Sequence, residues 1–118
     1  MNQWTITWVG LILKLSRRFP LEAFAYLMLA TGTLGDHVST AVALTRPYIY
    51  ESNAFTVELM SRGLWEFADV SLIALGIAVP YLLMRLIRHP SLKGLLAYPL
   101  VLGAIRLGAC FWNLSLIV

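Results

Sequence analysis

One cysteine, Cys110, and two histidines, His37 and His89, are all that this 118-residue chain holds of the residue types that build disulfides and soft metal centres. A lone cysteine excludes an internal disulfide and any cysteine-based metal site made by this chain alone. The spaced ligand pairs His-x-x-x-His and Glu-x-x-His are absent, and no catalytic constellation is recognisable. The sequence therefore requires no cofactor. Charge is scarce too: 13% of residues are charged, where a typical soluble domain has about 25%, while 59% are hydrophobic. That balance belongs in lipid. The net charge of +3 does not point to nucleic acid, because the bases are spread through apolar flanks instead of covering one soluble face.

What is present reads as an all-α integral membrane protein with three spans. Residues 1–19 place Trp4, Trp8, Leu11, Ile12, Leu15 and Phe19 at helical spacing, with Lys14, Arg17 and Arg18 largely elsewhere around the wheel. The apolar core of this segment is shorter than the roughly 20 residues a span needs, and its bases follow that core, unlike those of a signal peptide. An amphipathic helix lying at the membrane surface is expected. Span 1 covers 21–45, closed by Arg46-Pro47, and span 2 covers 66–87, with Gly76 and Pro80 inside it. A cytoplasmic loop at 88–94 and span 3 at 95–117 complete the chain. The outer connection, 46–65, carries interfacial aromatics and a short surface helix over 54–62, capped by Ser52 or Asn53, ended by Gly63 and braced by Glu58 and Arg62. Small residues at Gly32, Gly35, Ser39 and Ala43, and at Ala104 and Gly108, predict close helix packing.

Polar residues inside the spans are the exception that needs explaining. Asp36, His37 and Thr40 share one face of span 1 with Thr33; Asp69 lies near the start of span 2; Arg106, Cys110 and Asn113 form a line on span 3. At about 1.5 Å rise per residue, the polar groups converge on the outer leaflet once the topology is set, with Arg106 able to reach outward from mid-membrane. Two readings compete. In one, Arg106 pairs with Asp36 or Asp69 and the network fixes helix register. In the other, the cluster is a site: His37 with Asp36, Asp69 and Glu51 offers nitrogen and oxygen ligands to a metal, Arg106 with Asn113 holds an anionic or polar substrate, or the carboxylates form a proton path.

Asp36-x-x-Ser39-Thr40 followed by Glu51-Ser52-Asn53 resembles the marks of a family of small prokaryotic membrane proteins of about three spans, Asp-x-x-x-Thr and then Glu-x-Asn-Pro, with Ala54 where that family has proline. The resemblance covers roughly residues 25–90 and singles out Asp36, Thr40, Glu51 and Asn53. It implies a site near the outer surface of a prokaryotic plasma membrane and no particular chemistry.

Three spans bury little surface against one another, and Leu72–Val79 and Leu95–Val101 are apolar nearly all round. An accessory or structural subunit of a larger membrane assembly, packed against other subunits or further copies of itself, is the first functional expectation. A small membrane enzyme or metal-binding protein is the second, and a homo-oligomeric transporter or channel the third. For topology, Lys14, Arg17, Arg18, Arg85, Arg88 and Lys93 fall on one side against Arg46 and Arg62 on the other. The positive-inside rule puts the N-terminus in the cytoplasm and the C-terminus outside. An impermeant thiol reagent applied to intact cells should therefore modify a cysteine introduced at Ser52 and spare one introduced at Ser91; the opposite pattern inverts the orientation.

Overall fold

The computed structural model describes Gln3, residues 7–10 and residues 20–118. Most of the expected surface helix at 1–19 lies outside the described residues. Gln3 and residues 7–10 are helical, and the Thr7 hydroxyl donates to the Gln3 carbonyl at 2.9 Å. Beyond it the described residues hold helices and connections and no strand: α1 (Pro20–Ala43), α2 (Ala54–Ser61), α3 (Trp65–Leu86), a 3₁₀ helix (Pro90–Leu96) and α4 (Ala97–Ile117).

Each boundary follows from local chemistry. Pro20 opens α1, where its missing N–H costs nothing. Asn53 is the residue that caps α2, its Oδ1 accepting from the Phe55 and Thr56 amides at 3.0 and 3.4 Å. Gly63, at φ +68°, takes the left-handed conformation that ends this helix. The Arg62 Nε donates to Glu58 at 2.7 Å across one turn, as the spacing requires. The connection expected at 88–94 is shorter than that. His89 caps the next turn through Nδ1, which accepts from the Ser91 amide at 3.2 Å, and Pro90 starts a 3₁₀ segment that runs straight into α4.

Two helical stretches are long and apolar enough to cross a membrane, Trp65–Leu86 and Pro90–Ile117. A helix of 22 residues reaches about 33 Å, close to the thickness of a hydrocarbon core. At 24 residues α1 has the length, but Glu22, Asp36 and His37 interrupt its apolar character. The reason lies in its position: α1 is the central helix. Its buried residues, Glu22, Ala25, Leu29, Gly32, Thr33, Ser39, Thr40 and Ala43, recur every three or four positions along one face. Leu29 and Thr33 are wholly buried, and the Thr33 hydroxyl has no hydrogen-bond partner.

That face packs chiefly on α4 and far less on α3. Glycine sets the α1–α4 approach. A Cβ on Gly32 would run into the Gly103 carbonyl, and one on Gly103 into the backbone of Met28 and Leu29; a Cβ on Gly35 would lie 3.1 Å from the Cys110 sulfur. The small pair read on this helix, Ala104 and Gly108, lies outside the seam. Both are exposed, and nothing stands within 4 Å of a Cβ placed on Gly108. Rotation of α4 by one residue brings Gly103 inward instead, because only a residue without a side chain admits the backbone of α1 at that point. Between α1 and α3 the seam is Leu29 lying over Gly76, with Pro80 buried one turn further on. Gly103→Val should therefore lower the melting temperature in detergent sharply, through overpacking of about 1–3 kcal/mol or more. Gly108→Val should leave it within the error of a circular-dichroism melt; equal effects at the two positions would contradict this packing.

Candidate functional site

The polar groups of the three long helices meet at one end of the bundle, where Asp36, His37 and Thr40 leave α1, Asp69 leaves the second turn of α3, and Arg106 and Asn113 leave α4. Sequence reasoning offered Arg106 one aspartate or the other. It takes both. One terminal nitrogen of Arg106 lies 3.0 Å from Asp36 Oδ2 and the other donates to Asp69 Oδ1 at 2.6 Å. A planar, permanently charged fork is the one side chain that can tie two carboxylates from two different helices in this way. The Nε of Arg106 is buried and has no partner among the described residues.

The second oxygen of Asp69 faces His37 Nδ1 at 2.6 Å. An ionised carboxylate only accepts, so Nδ1 carries the proton in this contact. The imidazole also stacks on Trp65, with ring centroids 3.7 Å apart and planes 22° from parallel. Trp65 opens α3, one turn before Asp69, which is why a single helix turn supplies both the flat support and the charged partner. On the other side, the Asn113 amide nitrogen faces Thr40 Oγ1 at 2.9 Å, Ser39 Oγ at 3.1 Å and Asp36 Oδ1 at 3.4 Å. The Thr40 hydroxyl donates to the same Asp36 oxygen at 3.3 Å. An acceptor-only neighbour fixes the amide orientation, and Asn113 Oδ1 is left with no donor among the described residues.

These residues line a cavity of about 270 Å³ together with Tyr50, Glu51, Ser52, Asn53 and Thr56 from the connection after α1, and with Trp112. Every residue of the two short motifs, Asp36, Thr40, Glu51 and Asn53, is on its wall. Glu51 Oε1 accepts from the Asn53 amide at 2.9 Å and so shapes the turn that leads into α2. Of the polar face read on α1, Thr33 alone stays outside this cavity.

The geometry bears on two chemical readings of the cluster. The terminal nitrogens of Arg106 and the amide nitrogen of Asn113, the groups offered to an anionic or polar substrate, are directed at Asp36, Asp69, Ser39 and Thr40. A metal held by His37, Asp36 and Glu51 is not formed: among the described residues no three His, Cys, Asp or Glu side chains converge on a point. His37 Nδ1 and both aspartates are spent on one another and on Arg106.

A second ionic pair, missed in the sequence, closes the opposite end. Arg85, read as part of the basic connection, reaches from the last turn of α3 to Glu22 in the first turn of α1, donating from its two terminal nitrogens at 3.1 and 3.2 Å. Glu22 is 7% exposed, the Tyr26 hydroxyl donates to it at 3.4 Å, and the Arg85 guanidinium lies over the Tyr81 ring at 4.5 Å. Its signal was a carboxylate just inside a long apolar helix, the same signal that drew attention to Asp36.

Searches against protein families, curated proteins and solved structures found no match for this chain. Function has to be read from the geometry. Because Arg106 balances two carboxylates, its loss should cost more than the loss of either aspartate. Arg106→Met should lower stability by about 3–5 kcal/mol in detergent unfolding, Asp36→Asn or Asp69→Asn by less, and the triple neutral variant should regain much of the deficit. No recovery in the triple variant would show that the charges act separately.

Proposed function

We propose that the chain is a three-span integral membrane protein of a prokaryotic plasma membrane, with its N-terminus in the cytoplasm, that binds a small ligand in the outer-leaflet cavity and works as a subunit of a larger membrane assembly. The observation that carries the binding reading is convergence: Asp36, His37, Asp69, Arg106 and Asn113 from three helices and Glu51 and Asn53 from the connection all border one cavity. Keeping ionisable groups in the hydrocarbon layer is costly, and a structural pin would need one ion pair. The Glu22–Arg85 pair at the other end is such a pin; the outer cluster has more polar groups than pinning requires.

In this reading α1 is the first span although its composition is the least apolar of the three. The other two helices cover its polar face, and lipid sees its exposed Leu21, Phe24, Leu27, Leu34, Val38 and Val42. The subunit reading is supported by the exposed Ala104 and Gly108 on α4, small residues at the spacing that lets a further helix approach in lipid. A binding protein with no chemistry of its own fits better than an enzyme, because the hydroxyl that stands beside a carboxylate, Thr40 on Asp36, also accepts from Asn113, and Arg106 holds that carboxylate.

Native mass spectrometry of the full chain released from mild detergent tests both halves. The expected result is the 13.2 kDa chain with a small additional mass, in complex with a partner or with further copies. Ala109→Leu, which fills the cavity wall without touching a charge, should lose the small mass, and Gly108→Leu should lose the partner while retaining the fold. A bare 13.2 kDa species from the wild type contradicts the proposal.

A further inference from the structure

We infer that the cavity is selective for a small organic cation carrying N–H donors, a primary ammonium or a guanidinium, with Glu51 as the residue that receives its charge. The inference rests on the cavity being a binding site and adds the class of ligand.

Charge comes first. Three carboxylates, Asp36, Asp69 and Glu51, border the cavity against one guanidinium, Arg106. The walls carry a net charge of −2 with His37 neutral and −1 with His37 protonated. Arg106 and His37 are committed to the two aspartates, so Glu51 is the cavity's carboxylate without a cationic partner. An excess negative charge facing a low-dielectric layer favours a cation over a neutral guest and opposes an anion.

Hydrogen-bonding capacity points the same way. The terminal nitrogens of Arg106 face Asp36 and Asp69, His37 Nδ1 faces Asp69, and the Asn113 amide nitrogen faces Thr40 and Ser39. Arg106 Nε has no acceptor among the described residues, and the hydroxyl and indole groups of the wall add neutral donors. The acceptors without a donor among the described residues include Glu51 Oε2, which is charged, and Asn113 Oδ1. A guest that satisfies them must donate, and an ammonium or guanidinium supplies several N–H groups with no acceptor. Size and lining separate this guest from a bare metal ion. The space of about 270 Å³ is far larger than one ion, lies just below the roughly 300–1,000 Å³ of sites for drug-sized ligands, and is bordered by the rings of Tyr50, Trp65 and Trp112. Aromatic faces attract organic cations.

The test is calorimetric titration of the full chain in mild detergent and amine-free buffer with three probes of similar size: n-butylammonium, its isomer tetramethylammonium, and butyrate. The expected order is n-butylammonium first, tetramethylammonium at least about tenfold weaker because it has charge without N–H donors, and butyrate without measurable binding. Glu51→Gln should weaken n-butylammonium about tenfold or more. That variant keeps an acceptor for the Asn53 amide and lies in the connection between helices, so its melting temperature should match the wild type. Binding of butyrate in preference to n-butylammonium, or equal affinity of wild type and Glu51→Gln for n-butylammonium, would overturn the choice of ligand and leave the cavity a site. Failure of all three probes would overturn the site itself along with this inference.

Discussion

The arrangement of the long helices depends on one guanidinium. Arg106 on α4 holds Asp36 on α1 and Asp69 on α3 at once, and no other contact in the described residues joins all three. In water such a cluster would contribute little, since exposed ion pairs are screened and cost side-chain entropy. In the membrane setting proposed above the balance changes. Each charge is expensive alone there, so any rotation or sliding that separates Arg106 from either aspartate would leave an uncompensated charge facing hydrocarbon. The register of α3 against the α1–α4 pair follows from that constraint. It has to, because apolar packing on α3 is thin: Leu29 over Gly76 in the middle, and ionic contacts at the two ends.

The α1–α4 pair is held by different means. Gly32 and Gly103 allow backbone to meet backbone, and such contact gains dispersion and polar complementarity that lipid cannot replace. This pair is a platform, and α3 closes over it, leaving the outer cavity where α3 begins. His37 illustrates how the two halves communicate. It grows from α1, pairs with Asp69 and stacks on Trp65, both on α3, so the mouth of the cavity and the position of α3 are tied through one imidazole.

Much of this was legible in the sequence, for identifiable reasons. Helix positions followed from apolar length and from Pro20, Asn53 and Gly63, since capping and proline chemistry act locally, whereas the helical start at Pro90 was read as part of a connection. The polar cluster was legible because a charge inside an apolar run is conspicuous wherever it occurs. Rotation about the helix axes was not. Ala104 and Gly108 have better small-residue spacing than Gly103, yet Gly103 is the residue in the seam, because the choice depends on what α1 presents at that height. For the same reason the double engagement of Arg106 was invisible, and so was the Glu22–Arg85 pair, whose members are 63 positions apart. Spacing within one helix says which residues share a face; it does not say which face meets which.

The bridging role of Arg106 is open to direct measurement, because Asp36 and Asp69 are the two aspartates of the chain. With carboxyl carbons of aspartate labelled ¹³C and arginine side chains labelled ¹⁵N, rotational-echo solid-state NMR in lipid bilayers reads the nitrogen–carbon distances of these two residues alone. Strong dephasing of both carboxyl signals, abolished for both by Arg106→Met, is the predicted result. Dephasing of one aspartate only, or of neither, would contradict a three-helix bridge.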